Sequence, residues 1–248
     1  MEQTSVLQID GLSGGYSAKK PVLHNITFDV QPGEMLGLIG LNGAGKSTTM
    51  KHILGLMNPQ QGQIRVLGNK REENTEAYQS SIAFVPESPE LYDEMTVMEH
   101  LEFTARAYSV KEQDFRERAD KLLDLFRMRE KSSSLSTHLS KGMRQKVMIM
   151  CAFMAGPPLY IIDEPFLGLD PLGIRSLLDF MMEIKTSGSS ILLSSHILST
   201  IENYCDRFIV LHRGEVIVQG SLEQIRAQTG QQGVPLEQIF YNLVQGRD

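Results

Sequence analysis

Cysteine is scarce in this chain: Cys151 and Cys205 are the only two in 248 residues. Two such residues build no disulfide framework and fit a reducing compartment, where both are read as inert packing residues. No cysteine–histidine cluster has zinc spacing. Basic charge is short as well. Lys and Arg number 24 against 30 Asp and Glu, a formal net charge of −6. A nucleic-acid partner would want a basic face, so none is expected. No apolar run is long enough to span a bilayer comfortably. The longest uncharged one covers residues 147–162 and is broken by Gly156, Pro157 and Pro158; it reads as a buried helix, a turn and a buried strand. Residues 1–5 are neither basic nor followed by an apolar core, so no secretory leader is expected. Repeats, heptads and low-complexity tracts are missing. What remains is a soluble α/β chain, sized for one domain or two intimately packed subdomains. Any membrane part would come from another polypeptide.

What is present begins with Gly40-Leu41-Asn42-Gly43-Ala44-Gly45-Lys46-Ser47, followed by Thr48. The spacing G-x-x-x-x-G-K-[ST] belongs to a phosphate-binding loop. Glycines let the backbone curl so that its amides form a nest for phosphate oxygens. Lys46 brings a point charge to the outer phosphates. The Ser47 hydroxyl is a hard oxygen suited to Mg²⁺. Residues 34–40 before the loop form a short apolar run, as a buried parallel strand would. Residues 47–54 after it read as a helix whose N-terminus adds partial positive charge. A nucleoside triphosphate is the implied ligand.

Residues 6–9 and 26–30 alternate like strands of an antiparallel layer. Residues 63–68 and 81–85 read as further strands. Residues 96–108, 114–126 and 140–155 read as helices, the first opened by a capping box of Thr96 and Glu99. The charges of the second are read as a solvated face, and Met143, Met148, Met150 and Met154 of the third as core filler rather than a metal site. Residues 88–155 therefore form a helical insertion in a strand-rich core. Residues 159–162, 190–193 and 208–211 read as buried parallel strands alternating with helices. Residues 214–219 form a hairpin with the last of these. The tail, residues 221–248, suggests two short helices around Gly230 and Gly233.

The strand at 159–162 runs into Asp163 and Glu164. An acid at the carboxyl end of a buried strand beside a phosphate loop is well placed for Mg²⁺. Its neighbour can orient and deprotonate water. Acids also end strands as ordinary turn residues, so alone the pair stays ambiguous. His196, after Ser194 and Ser195, is equally ambiguous alone. Ser140 opens a helix and reads both as its cap and as part of an anion site with Lys141, Gly142 and Met143.

Together these segments resemble the ATP-binding-cassette (ABC) ATPases over essentially the whole chain. Gly40 to Thr48 matches their Walker A loop, the strand ending in Asp163 and Glu164 their Walker B with its catalytic glutamate. Leu139-Ser140-Lys141-Gly142-Met143 matches the signature, usually L-S-G-G-Q. Asp170 falls in the D-loop, and His196 is the switch histidine. Tyr16 lies where the family stacks an aromatic on adenine; a plain loop tyrosine is the other reading. Within the family, residues 85–92 and 148–153 look most like the Ecs-type bacterial exporter subunits.

The resemblance implies an α/β P-loop NTPase (RecA-like) fold: a parallel-sheet core, an antiparallel β layer and an α-helical subdomain. Residues 1–248 would be one ABC domain, with core and β layer in 1–87 and 156–220, helical subdomain in 88–155 and tail in 221–248. It implies ATP hydrolysis with ATP and Mg²⁺, the metal held by Ser47, Asp163 and Glu87. Two copies would close head to tail, each ATP between Lys46 of one and Ser140 of the other, with Glu164 and His196 catalytic. The implied partner is an integral membrane permease, which would hold the chain peripherally on the cytoplasmic face. Three departures stand out. Lys141 replaces a glycine and Met143 a glutamine of the signature. Glu87 replaces the Q-loop glutamine; it either adds a charged oxygen to the site or merely ends the strand. A soluble, non-transport ABC ATPase is the alternative. Lys46 and Ser140 lie too close in sequence for the coiled-coil arms of repair proteins, and one cassette is too few for most translation factors.

Overall fold

A computed structural model describes residues 5–17 and 19–246. The leader reading at residues 1–5, apart from Ser5, and the last two tail positions lie outside the described residues. Among the described residues the chain runs β1 (Leu7–Gly14), β2 (Leu23–Val30), β3 (Met35–Ile39), α1 (Lys46–Ile53), β4 (Gln61–Val66), α2 (Thr75–Ser80) and β5 (Ile82–Val85). Three longer helices follow: α3 (Val97–Ala107), α4 (Glu112–Leu125) and α5 (Lys141–Ala155). Then come β6 (Leu159–Asp163), α6 (Pro171–Thr186), β7 (Ser190–Ser194), α7 (Leu198–Ile201), β8 (Arg207–His212), β9 (Glu215–Gly220), α8 (Leu222–Thr229) and α9 (Leu236–Gln245).

These strands make two sheets. In the larger, β5-β6-β7-β3-β8 are parallel and β9 adds an antiparallel edge. The smaller is antiparallel, in the order β2-β1-β4. Every residue of β3, β6 and β7 is buried, which is why they read as continuous apolar runs. Successive side chains enter opposite cores. Leu159 and Ile161 pack with the small sheet and α1, against Leu7, Ile26 and Met50. Tyr160 and Ile162 pack with the longer helices and the tail, against Leu101, Met150, Leu177 and Ile239. Each such buried side chain contributes about 1.5–3 kcal/mol. With both faces covered, the carboxyl ends of the parallel strands remain as the open edge, where α/β sheets bind ligands.

Several boundaries move. β1 continues past Ile9 to Gly14 because a register shift at Gly11 (φ 63°) absorbs the break in alternation. β2 starts at Leu23, before Asn25 at φ 54°. β4 stops at Val66, since Leu67 and Gly68 turn the chain with positive φ. Helix α2 was not expected; its six residues are too few to show a period, and an Asn74 cap on Ala77 N marks its start. The Thr96–Glu99 capping box is present. Residues 147–162 are the buried end of α5, a turn at Gly156 (φ 64°) and β6. Met150 and Met154 are fully buried, Met143 and Met148 partly so. Both cysteines are free. Burial pushes the Cys151 thiol up to about 12 and raises that of Cys205. Among the described residues no helix is long and apolar enough to cross a membrane.

Candidate active site

Three loops leave the open edge of the sheet side by side, after β3, β6 and β7. The first returns into α1 through Gly45, whose φ of 112° is left-handed and whose Cβ would stand 2.6 Å from Leu23 Cδ2. Glycine alone fits that turn. It makes Lys46 the first residue of α1. Lys46 Nζ donates to the Gly40 carbonyl at 2.7 Å and lies 3.9 Å from Glu164 Oε1.

The second and third loops are joined by register. Asp163 pairs with Ser194 across β6 and β7. Ser194 Oγ donates to Asp163 Oδ1 and accepts from Glu164 N at 3.1 Å. Glu164 N also reaches the Ser194 carbonyl at 3.2 Å. These bonds hold Glu164 at φ 49°, a left-handed conformation that costs a non-glycine residue about 1–2 kcal/mol. Its side chain, 12% exposed, is thereby turned toward Lys46 and His196. Glu164 Oε2 accepts from His196 N at 3.0 Å and lies 2.7 Å from His196 Nδ1. A carboxylate only accepts, which assigns the proton to Nδ1.

A cleft of about 490 Å³ opens over these groups. Gly40, Asn42, Lys46, Ser47, Glu87, Asp163, Glu164 and His196 all line it. Ser47, Asp163 and Glu87 offer hard oxygens in one cavity, a donor set that fits Mg²⁺. Glu87 is solvent-exposed yet on the cleft wall. Gly43 and Ala44 line a separate, smaller pocket of about 180 Å³, together with Asn42 and His212. Thr48 is buried in α1.

Other expected residues stand elsewhere. Tyr16 is 69% exposed, and its hydroxyl accepts from Lys51 Nζ at 3.1 Å, with the ammonium 5.2 Å from the ring centroid. That hydrogen bond lowers the Tyr16 pKa, with a smaller contribution from Thr48. Its ring therefore lies along the α1 face that carries Thr48 and Lys51. Ser140 Oγ accepts from Met143 N at 3.3 Å, so it does cap α5. Ser140 and Lys141 are exposed, and none of Ser140, Lys141, Gly142 and Met143 lines the cleft. A Cβ on Gly142 would stand 2.3 Å from the Gly168 carbonyl oxygen. Asp170 caps α6, accepting from Gly173 N at 2.6 Å, which holds its carboxyl below the usual range. Lys146 of α5 lies 3.6 Å from it.

Two contributors escaped the sequence. Ser194 organises both acidic residues; a polar residue closing an apolar strand is the signal that could have found it. Glu237, Phe240 and Tyr241 of α9 also line the cleft, and nothing local in the tail announces that. A separate cavity of about 260 Å³, lined by His52, Arg71 and Tyr78, contains none of the expected site residues.

The profile of the ABC transporter family matches residues 23–167. The chain is 51% identical over 239 residues to the ABC-type transporter ATP-binding protein EcsA of Bacillus subtilis, covering 96% of each. It is 38% identical to the uncharacterized ABC transporter ATP-binding protein YthP of the same organism, covering 98% of each. A solved ATP-binding subunit of an ABC transporter superposes with a TM-score of 0.94 at 51% identity, over 96% of this chain and 99% of that one. CbiO1 from Clostridium perfringens, part of the ABC transporter complex cbiONQ, gives 0.77 at 25% identity, over 96% and 98%. The chain therefore belongs to the ABC transporter family as an ATP-binding subunit that hydrolyses ATP to energise a membrane transporter.

Proposed function

We propose that the cleft holds the outer phosphates of ATP, with Gly40, Asn42, Gly43, Ala44, Gly45, Lys46, Ser47 and Thr48 as the phosphate cradle. Tyr16 stacks on the adenine. Ser47, Asp163 and Glu87 hold Mg²⁺, which neutralises phosphate charge when bound. Glu164 takes the proton from an attacking water, oriented by His196. The observation that carries this reading is the convergence of Lys46, Asp163, Glu164 and His196 on one cavity, with Glu164 held in a strained backbone conformation. Strain of that kind gathers at functional positions.

Ser140 and Gly142 stand outside their own cleft. In this reading they serve the ATP of a second copy, packed head to tail, with Asp170 at the seam. Residues 1–87 and 156–220 act as the nucleotide-holding core, 88–155 as a helical unit and 221–248 as the tail. The chain works on the cytoplasmic face, held there by integral permease subunits. Tyr92 and Phe103, both about half exposed and in edge-to-face contact at 5.6 Å, offer the helical unit's apolar patch to such a partner. Export is proposed on the Ecs-type likeness of residues 85–92 and 148–153.

Gel filtration with and without Mg-ATP tests the shared site. Glu164→Gln should form a nucleotide-dependent dimer, and adding Ser140→Arg should return it to a monomer. A dimer that survives Ser140→Arg would place the second phosphate contact elsewhere.

A further inference from the structure

Helix α9 brings Glu237, Phe240 and Tyr241 into the wall of the cleft that holds Lys46, Glu164 and His196. Leu236 and Ile239 are fully buried and Val244 nearly so, which fixes the helix against the body of the protein. One carboxylate ties it down. Glu202, directly after α7, accepts from Leu236 N, the first amide of α9, at 3.1 Å. Its other oxygen lies 3.5 Å from Arg226 of α8. Arg226 Nε in turn donates to the Val234 carbonyl at 2.9 Å, just before α9. The Arg226 and Glu202 side chains are only 16% and 17% exposed, so water competes weakly for this pairing.

Helix α7 is the element that needs such a clamp. It has four residues and begins two positions after His196. A single turn does not hold its own shape in water. Leu198 and Ile201 bury it in the same core as Leu236 and Ile239, and Leu198 also borders the cleft. We infer that Glu202 is a positioning residue: by clamping α9 onto α7 it fixes the turn from which His196 meets Glu164, and α9 forms a wall of the ATP cleft. This rests on the roles proposed above for Glu164 and His196.

The chain contains no tryptophan, so Tyr241→Trp places a single indole at the cleft while keeping an aromatic ring. Its emission should change on adding Mg-ATP and saturate over the ATP range in which equilibrium dialysis shows binding. Binding by dialysis without a change in emission removes α9 from the cleft and overturns the inference. Absence of binding by dialysis overturns the phosphate-loop reading itself, and this inference with it.

Glu202→Ala then tests positioning, with rates expressed per mole of ATP bound so that loss of folded protein does not count. On that basis kcat should fall about fivefold, the scale of one well-placed hydrogen bond, with KM for ATP unchanged within about twofold. Glu202→Gln keeps an oxygen for Leu236 N and should recover part of the loss. Equal kcat per bound ATP in wild type and Glu202→Ala overturns the inference. Should Glu202→Ala not fold, Arg226→Gln loosens the same carboxylate and is read by the same criteria.

Discussion

His196 meets Glu164 twice, its backbone amide 3.0 Å and its ring Nδ1 2.7 Å from the same carboxylate oxygen. The other oxygen faces Lys46 at 3.9 Å. Three loops from three parallel strands therefore converge on one side chain, and Ser194 fixes the backbone beneath it. The arrangement follows from register: β6 and β7 end together, so their first loop residues are neighbours. The geometry of this cluster is a consequence of sheet geometry.

Lys46→Ala should weaken ATP binding by at least about tenfold and abolish hydrolysis. It removes a nearly buried cation beside Glu164, and the charge-assisted bonds it would make to phosphate in the proposed cradle contribute about 1.5–3 kcal/mol each. Equilibrium dialysis and phosphate release measure the two effects. Wild-type turnover would contradict the placement of phosphates in this cleft.

Glu87 brings a carboxyl group to the cleft wall. Glu87→Gln keeps an oxygen and should shift the Mg²⁺ dependence of hydrolysis modestly. Glu87→Ala, with none left, should raise the Mg²⁺ needed by more. The check is a Mg²⁺ titration of the ATPase rate in all three forms. Superimposable curves would show that the residue lines the cleft without serving the metal.

Gly142→Ala should destabilise the fold by about 1–3 kcal/mol, the usual cost of overpacking. The added methyl would stand 2.3 Å from the Gly168 carbonyl oxygen, so α5 and the segment leading into α6 must part. Thermal unfolding should show a lower Tm. An unchanged Tm would mean that this contact yields freely.

Much of this was legible beforehand because it is local. The phosphate loop, the acidic strand end and the Thr96 capping box are each written within a few consecutive residues. The buried strands were visible because burial on both faces forces continuous apolar runs. Less visible features are long-range. Ser194 acts on Asp163 only through a cross-strand register, and Glu202 reaches Leu236 only after the tail folds back. The extension of β1 was hidden because a bulge at Gly11 breaks the alternation that signals a strand. Helix α2 was hidden by its length, and the cleft-lining face of α9 by the core-facing apolar stripe on the same helix.

Glu164→Gln carries the most direct test, with ATP binding and hydrolysis measured on the same protein. The amide keeps the shape of the side chain but takes no proton from water. ATP binding in the presence of Mg²⁺ should stay within about twofold of wild type, while turnover falls by about 10²–10⁴-fold, the range of a lost general base. Wild-type turnover with normal binding would show that Glu164 is not the base and would contradict the reading of this cleft.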